Sequence, residues 1–168
     1  MSIRWLRQRD TFRCGPVALV NIMKWAVLNE FDGYRVNEKL AKGYLTKLCC
    51  DLRPDIMGVY PRKFETVLRR IKGVEVEDVY CQPSRRIIRN TLKNGGIVAL
   101  HSSYFKNGEE WRHWSLITGV DDQGKIYELI NFIVDETVSI VSSTYLSRIL
   151  NLPDTIAYLL RNTVEKSS

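Results

Sequence analysis

The sequence predicts an α+β layered domain, with helices from its first half packed on antiparallel strands from its second. Three observations carry that expectation. Leu19, Ile22, Met23, Ala26 and Val27 recur at helical spacing in a stretch where Val17, Val20 and Trp25 are apolar too. A helix apolar on most of its sides is a central, buried one, wet only near Asn21 and Lys24. After Asn94 the pattern changes to short runs of β-branched and aromatic residues, GIVALHS, HWSLITGV, KIYELINF and ETVSIV, with the turn DDQG between the second and third. Helices followed by hairpin-linked strands make layers of this class.

The remaining elements follow in order. VNEKLAKGYLTKLCC reads as a second helix with Asn37 as its cap. DLRPDIMGVYP is rich in turn residues, and RKFETVLRRI is a third helix stopping at Gly73. VEVEDVY alternates as a strand does. PSRRIIRNTLKNGG is a short helix opened by Pro83 and Ser84 and closed by Asn94 and Gly95. The double glycine there belongs to the chain's own turn. SSYFKNGEEWR reads as a loop bordering a cleft between two strands. SSTYLSRIL is a short helix, TIAYLL a last strand, and residues 162–168 a frayed tail.

With 168 residues the chain is expected to be a single domain spanning 1–168, large enough to bury about two thirds of its unfolded surface. No run approaches the roughly 20 apolar residues of a membrane span, and the first ten residues lack the apolar core of a signal peptide. A cytoplasmic, reducing setting is the default expectation. The net charge of +6 favours acidic partners. Because the basic residues look scattered, solvated helix faces outweigh a nucleic-acid patch as their reading. Trp5, Tyr104 and Trp111 are expected to be exposed. Cys49, Cys50 and Cys81 lack metal-ligand spacing and read as small buried hydrophobes, so neither metal nor cofactor is expected.

Cys14 is different, because Gly15 and Pro16 follow it at the start of the central helix. Proline suits a first helical turn, where its missing N–H has no intrahelical partner. The free N–H groups and the positive dipole end then face the sulfur and favour thiolate over thiol. A nucleophilic thiol also needs a base, and His101 and His113 are the only histidines. Asn131, 18 residues after His113 across the DDQG turn, is the candidate that orients the imidazole, with Asp121, Asp122 and Asp135 as alternatives.

Taken in order, Gln8, then Cys14-Gly15-Pro16, then a Gly-Gly-Ile-Val-Ala strand, then HWSLITGVDD, resembles the papain-like bacteriocin-processing peptidases and their stand-alone relatives, over about residues 8–140. The resemblance implies a papain-like fold with the nucleophile on the central helix. It further implies Cys14 as nucleophile, His113 as general base and acid, Asn131 as orienter, and an oxyanion hole from the Gln8 side chain and the Cys14 N–H. The reaction implied is hydrolysis of a peptide bond in a peptide or protein. The same chemistry serves acyltransferases and deamidases, and a non-catalytic binding module is the rival from another class. Asn131 is followed by Phe132, where the family commonly has Asp-Pro. With no nucleotide-binding domain following, the processing domain of an export machine is not expected.

Overall fold

The computed structural model describes residues 3–10, 12–28, 38–53, 58–106, 108–133 and 136–163. Five helices and six strands follow one another among the described residues as α1 (Cys14–Leu28), α2 (Glu38–Leu52), α3 (Pro61–Leu68), β1 (Val74–Cys81), α4 (Arg85–Lys93), β2 (Ile97–Lys106), β3 (Glu109–Val120), β4 (Ile126–Ile130), β5 (Val138–Ser142), α5 (Ser143–Leu150) and β6 (Ile156–Asn162). All strand pairs are antiparallel in one sheet of order β1-β6-β2-β3-β4-β5. The expected α+β layering is present.

The sheet is covered on both faces, so its central strands are apolar on both sides. Ile97, Ala99, Trp114, Leu116, Ile130, Tyr158 and Leu160 pack with α1, α2 and α3 on one side. Val98, Leu100, Ile117, Leu129, Ala157 and Leu159 pack with α4 and α5 on the other. Local chemistry sets the helix starts. Pro61 opens α3, the Ser84 hydroxyl accepts from Ile87 N at 3.4 Å, and the Ser142 hydroxyl accepts from Tyr145 N at 3.2 Å.

Several expectations change. SSYFKNGEEWR is no loop: β2 and β3 pair continuously from Val98↔Ile117 to Lys106↔Glu109, so His113 sits mid-strand opposite Ser102. Asn21 is fully buried and Lys24 nearly so, because the N-terminal segment lies over that side of α1. Cys50 and Cys81 are exposed and Cys49 is half-buried, not core residues. Trp5 and Trp111 are half-buried, and Trp5 packs against the α1-side core. At the other end Asn162 still belongs to β6, its amide donating to the Ala26 carbonyl at 3.1 Å. The Asn37 cap, Asp135 and the tail 164–168 lie outside the described residues.

Two close approaches bring α1 onto β3. A Cβ on Gly15 would meet Val59 Cγ2 at 2.9 Å. Val59 in turn accepts from the Trp114 indole N–H at 2.8 Å, and Trp114 stacks on Phe64 with centroids 3.6 Å apart. Gly58, at φ 101°, passes over the Arg112 carbonyl, 2.8 Å from where its own Cβ would stand. Gly15→Ala should therefore lower stability by about 1–3 kcal/mol in urea unfolding, the usual cost of overpacking. Gly43→Ala, in α2 with nothing within 4 Å of the added carbon, should raise it by about 0.5–1 kcal/mol.

Candidate active site

Cys14 is the first residue of α1, since Arg13 supplies the carbonyl that accepts Val17 N at 2.9 Å. Asp10 fixes the approach: its carboxylate accepts Arg13 N at 2.9 Å and pairs with the Arg13 guanidinium at 2.7 Å. The first-turn N–H groups do face the sulfur, as expected. Even so, Cys14 is only 1% exposed. Burial pushes its thiol up to about 11, outweighing the pull of the Trp114, Gly15 and Cys14 N–H groups, and Asp10 adds to the rise. The expected thiolate is thus a neutral thiol here. Removing the sulfur from water costs more than the helix start returns.

That thiol donates to the Arg112 main-chain carbonyl at 3.8 Å. With the Trp114 N–H on its other side, the sulfur is bounded by the two residues flanking His113. Arg112 is buried, its guanidinium 3.7 Å over the Tyr60 ring. Among the described residues no hydrogen bond joins the sulfur to either histidine. The His101 ring lies against Trp114, and its Nδ1 bonds the Asp154 carbonyl at 3.2 Å.

His113 Nε2 meets the Asn131 main-chain carbonyl at 2.9 Å. A carbonyl only accepts, so Nε2 carries the proton and Nδ1 keeps the lone pair. Burial lowers the affinity of this ring for a second proton, against the raising effect of the Asn131 and Phe132 carbonyls. Phe132 closes the ring's edge, with centroids 6.3 Å apart. The imidazole is therefore neutral at pH 7.

Asn131 thus holds His113 through its backbone, leaving its side chain for a second task. Its Nδ2 donates to the Leu6 carbonyl at 2.8 Å, and its Oδ1 accepts Gln8 N at 3.0 Å. Asn21, one helical repeat along α1 from Cys14, grips the same arm. Its Oδ1 accepts Leu6 N at 2.6 Å, and its Nδ2 donates to the Leu6 carbonyl at 3.0 Å. Gln8 is fully buried between these anchors. Its Nε2 donates to the Asp10 carbonyl, and its buried Oε1 has no hydrogen-bond partner among the described residues.

Gln8, Asn131 and His113 thus form one hydrogen-bonded chain, and Cys14 adjoins it through the backbone on either side of His113. Asp121 and Asp122 belong to the β3–β4 turn, where Asp121 accepts Lys125 N at 2.6 Å and Ile126 N at 3.0 Å. Asn21 is the residue the sequence reading overlooked. Its signal was a polar side chain seven residues after Cys14, on the same face of an otherwise apolar helix. No cluster of metal-ligating side chains occurs among the described residues, and no helix there is long and apolar enough to cross a membrane.

Two solved structures share this architecture. The peptidase domain of Streptococcus ComA, a bi-functional ABC transporter involved in a quorum-sensing pathway, superposes with a TM-score of 0.62 at 11% identity, covering 96% of this chain and 100% of that one. A Bacillus anthracis protein assigned as a C39-like peptidase gives 0.58 at 12% identity, covering 97% and 96%. The chain has the papain-like fold of these peptidase domains. No family model matches the sequence, and no curated protein does. At such identity the likeness is one of fold, and the chemistry rests on the residues themselves.

A neutral, buried thiol has a measurable consequence. At pH 7 iodoacetamide should modify exposed Cys50 and Cys81 well before Cys14. Burial that lifts the Cys14 thiol from its ordinary 9.0 to about 11 leaves it about 100-fold less thiolate there, and it is also out of reach of the reagent. Mass mapping of the alkylated peptides reads the order. The Cys14 rate should then climb about tenfold per pH unit until its pKa is reached.

Proposed function

We propose that the chain is a cysteine peptidase that hydrolyses a peptide bond in a peptide or protein, with Cys14, His113 and Asn131 as its triad and Gln8 in its oxyanion hole. The observation that carries this reading is the linkage of Gln8, Asn131 and His113 around the mouth of α1, where Cys14 begins the helix. The fold, shared with two peptidases along nearly the whole chain, supports it.

The neutral pair dictates the order of events. Substrate draws the Cys14 thiol off the Arg112 carbonyl and toward Nδ1 of His113. As the sulfur–carbon bond forms, the thiol proton passes to Nδ1, so attack and proton transfer are coupled and no standing ion pair is needed. The oxyanion takes hydrogen bonds from the Cys14 N–H and from the Gln8 amide, which exchanges its Asp10 carbonyl for the substrate. When the carbon–nitrogen bond breaks, His113 gives its proton to the departing amine. Water then attacks the thioester with His113 as base and frees the acid. Throughout, the Asn131 carbonyl keeps Nε2 protonated and Nδ1 available.

A second reading has its own observation. The 1% exposure of Cys14 suits a scaffold that binds without catalysing. A peptidyl acyloxymethyl ketone separates the two. The peptidase reading expects covalent label on Cys14, lost in Cys14→Ala and reduced about 100-fold or more in His113→Gln. It further expects labelling to fall as pH drops through the His113 pKa, below 6.5, where the base is consumed. No Cys14 label at any pH, or an equal rate in His113→Gln, favours the binding module.

A further inference from the structure

The N-terminal arm, α1 and α2 enclose a cavity of about 640 Å³. Six of its lining residues are cations, Arg4, Arg7, Arg9, Arg13, Lys24 and Lys42, and Asp10 is the one acid among the described lining residues. The described lining thus holds five more basic than acidic side chains. Six of the chain's 25 Lys and Arg residues thus line this one cavity, and the others lie elsewhere. A second cavity of about 420 Å³ shares Arg13, Leu45 and Thr46 with the first. It continues along α2 past Phe12, Cys49 and Cys50 to Arg53. The two meet at Arg13, the residue before Cys14.

We infer that this two-part groove selects the substrate, taking an acidic peptide segment along its basic half and an apolar side chain against Phe12 and Leu45. The inference rests on the peptidase reading. The groove reaches Arg13, the residue before the candidate nucleophile, and is lined by the arm carrying Gln8, so it would hold a substrate next to the start of α1. Converging cations favour carboxylates through long-range attraction and charge-assisted hydrogen bonds. The apolar stretch beyond Arg13 suits a peptide, whose side chains alternate in character, better than a uniformly charged phosphate backbone.

The full-length Cys14→Ala chain binds without cleaving, so binding can be read apart from catalysis. Its affinity for a fluorescein-labelled glutamate-rich peptide, measured by anisotropy, is compared with that for the glutamine-for-glutamate twin. The groove predicts at least about 10-fold preference for the acidic peptide, shrinking as added salt shortens the Debye length from about 10 Å at 0.1 M to 3 Å at 1 M. Arg9→Glu with Lys42→Glu, both exposed residues of the wall, should abolish the preference, with an unchanged thermal melt. Lys47→Glu, on the same helix outside both cavities, should leave it intact. Equal binding of the two peptides overturns the inference, as does equal loss in Lys47→Glu. So does displacement of the peptide by a single-stranded oligonucleotide at lower concentration than by unlabelled peptide. Absence of ketone labelling in the wild type, with acidic-peptide preference retained, would remove the peptidase reading and leave the groove standing.

Discussion

One residue in a left-handed conformation ties the site together. Asn131, at φ 54°, follows the last residue of β4, and asparagine is among the few side chains that accept such a backbone readily. Its N–H donates to the Thr137 carbonyl at 2.9 Å, closing the turn toward β5. Its carbonyl holds the His113 imidazole, and its amide holds Leu6 and Gln8. Because the residue is buried, each of these bonds stands in for water that cannot reach the group, and leaving one unmade would cost about 1–3 kcal/mol. The His113 ring and the Gln8 arm are therefore positioned by the same few atoms. Asn21 fastens the other side of the arm to α1, so the arm sits between helix and sheet, as Cys14 does.

The electrostatics of the site come from a contest that burial wins. Helix-start N–H groups pull the sulfur toward ionisation, and the Asn131 and Phe132 carbonyls favour a protonated ring. Both are local effects, and both lose to desolvation in a place with almost no access to water. Thiol and imidazole consequently rest neutral, the thiol on a main-chain carbonyl. Such a resting state is unreactive toward small electrophiles, and under the proposed peptidase reading a bound substrate has to rearrange it. It also suits the proposed groove, which meets the start of α1 at Arg13 and not at the sulfur, because binding there can supply the free energy for the rearrangement.

Much of this was legible in the sequence. The apolar run from Val17 to Val27, the switch to alternating strands after Gly96 and the DDQG turn carried the layers, because hydrophobic periodicity reports burial directly. Gln8, Cys14, His113 and Asn131 could be singled out from residue type and order. Three things could not be read. The thiol's protonation depends on how deeply the sulfur is packed, which the residues around Cys14 do not reveal. Asn131 acts on His113 through its backbone, and a main-chain contact leaves no mark on residue identity. The basic wall escaped notice because Arg4, Arg7, Arg9 and Arg13 approach Lys24 and Lys42 only once the arm lies across two helices. Asn21 was within reach: a polar side chain in register with Cys14 on an apolar face needs a buried partner.

Asn131 holds the arm with its side chain while holding the imidazole with its backbone. Hydrogen exchange in Asn131→Gly tests this directly, since glycine keeps the left-handed backbone and the carbonyl but lacks the amide. The Gln8 N–H should lose about 10-fold or more of its protection relative to wild type, and the His113 Nε2 proton should keep its wild-type chemical shift. Unchanged protection at Gln8, or loss of the His113 proton signal along with it, would contradict the division of labour between the two halves of this residue.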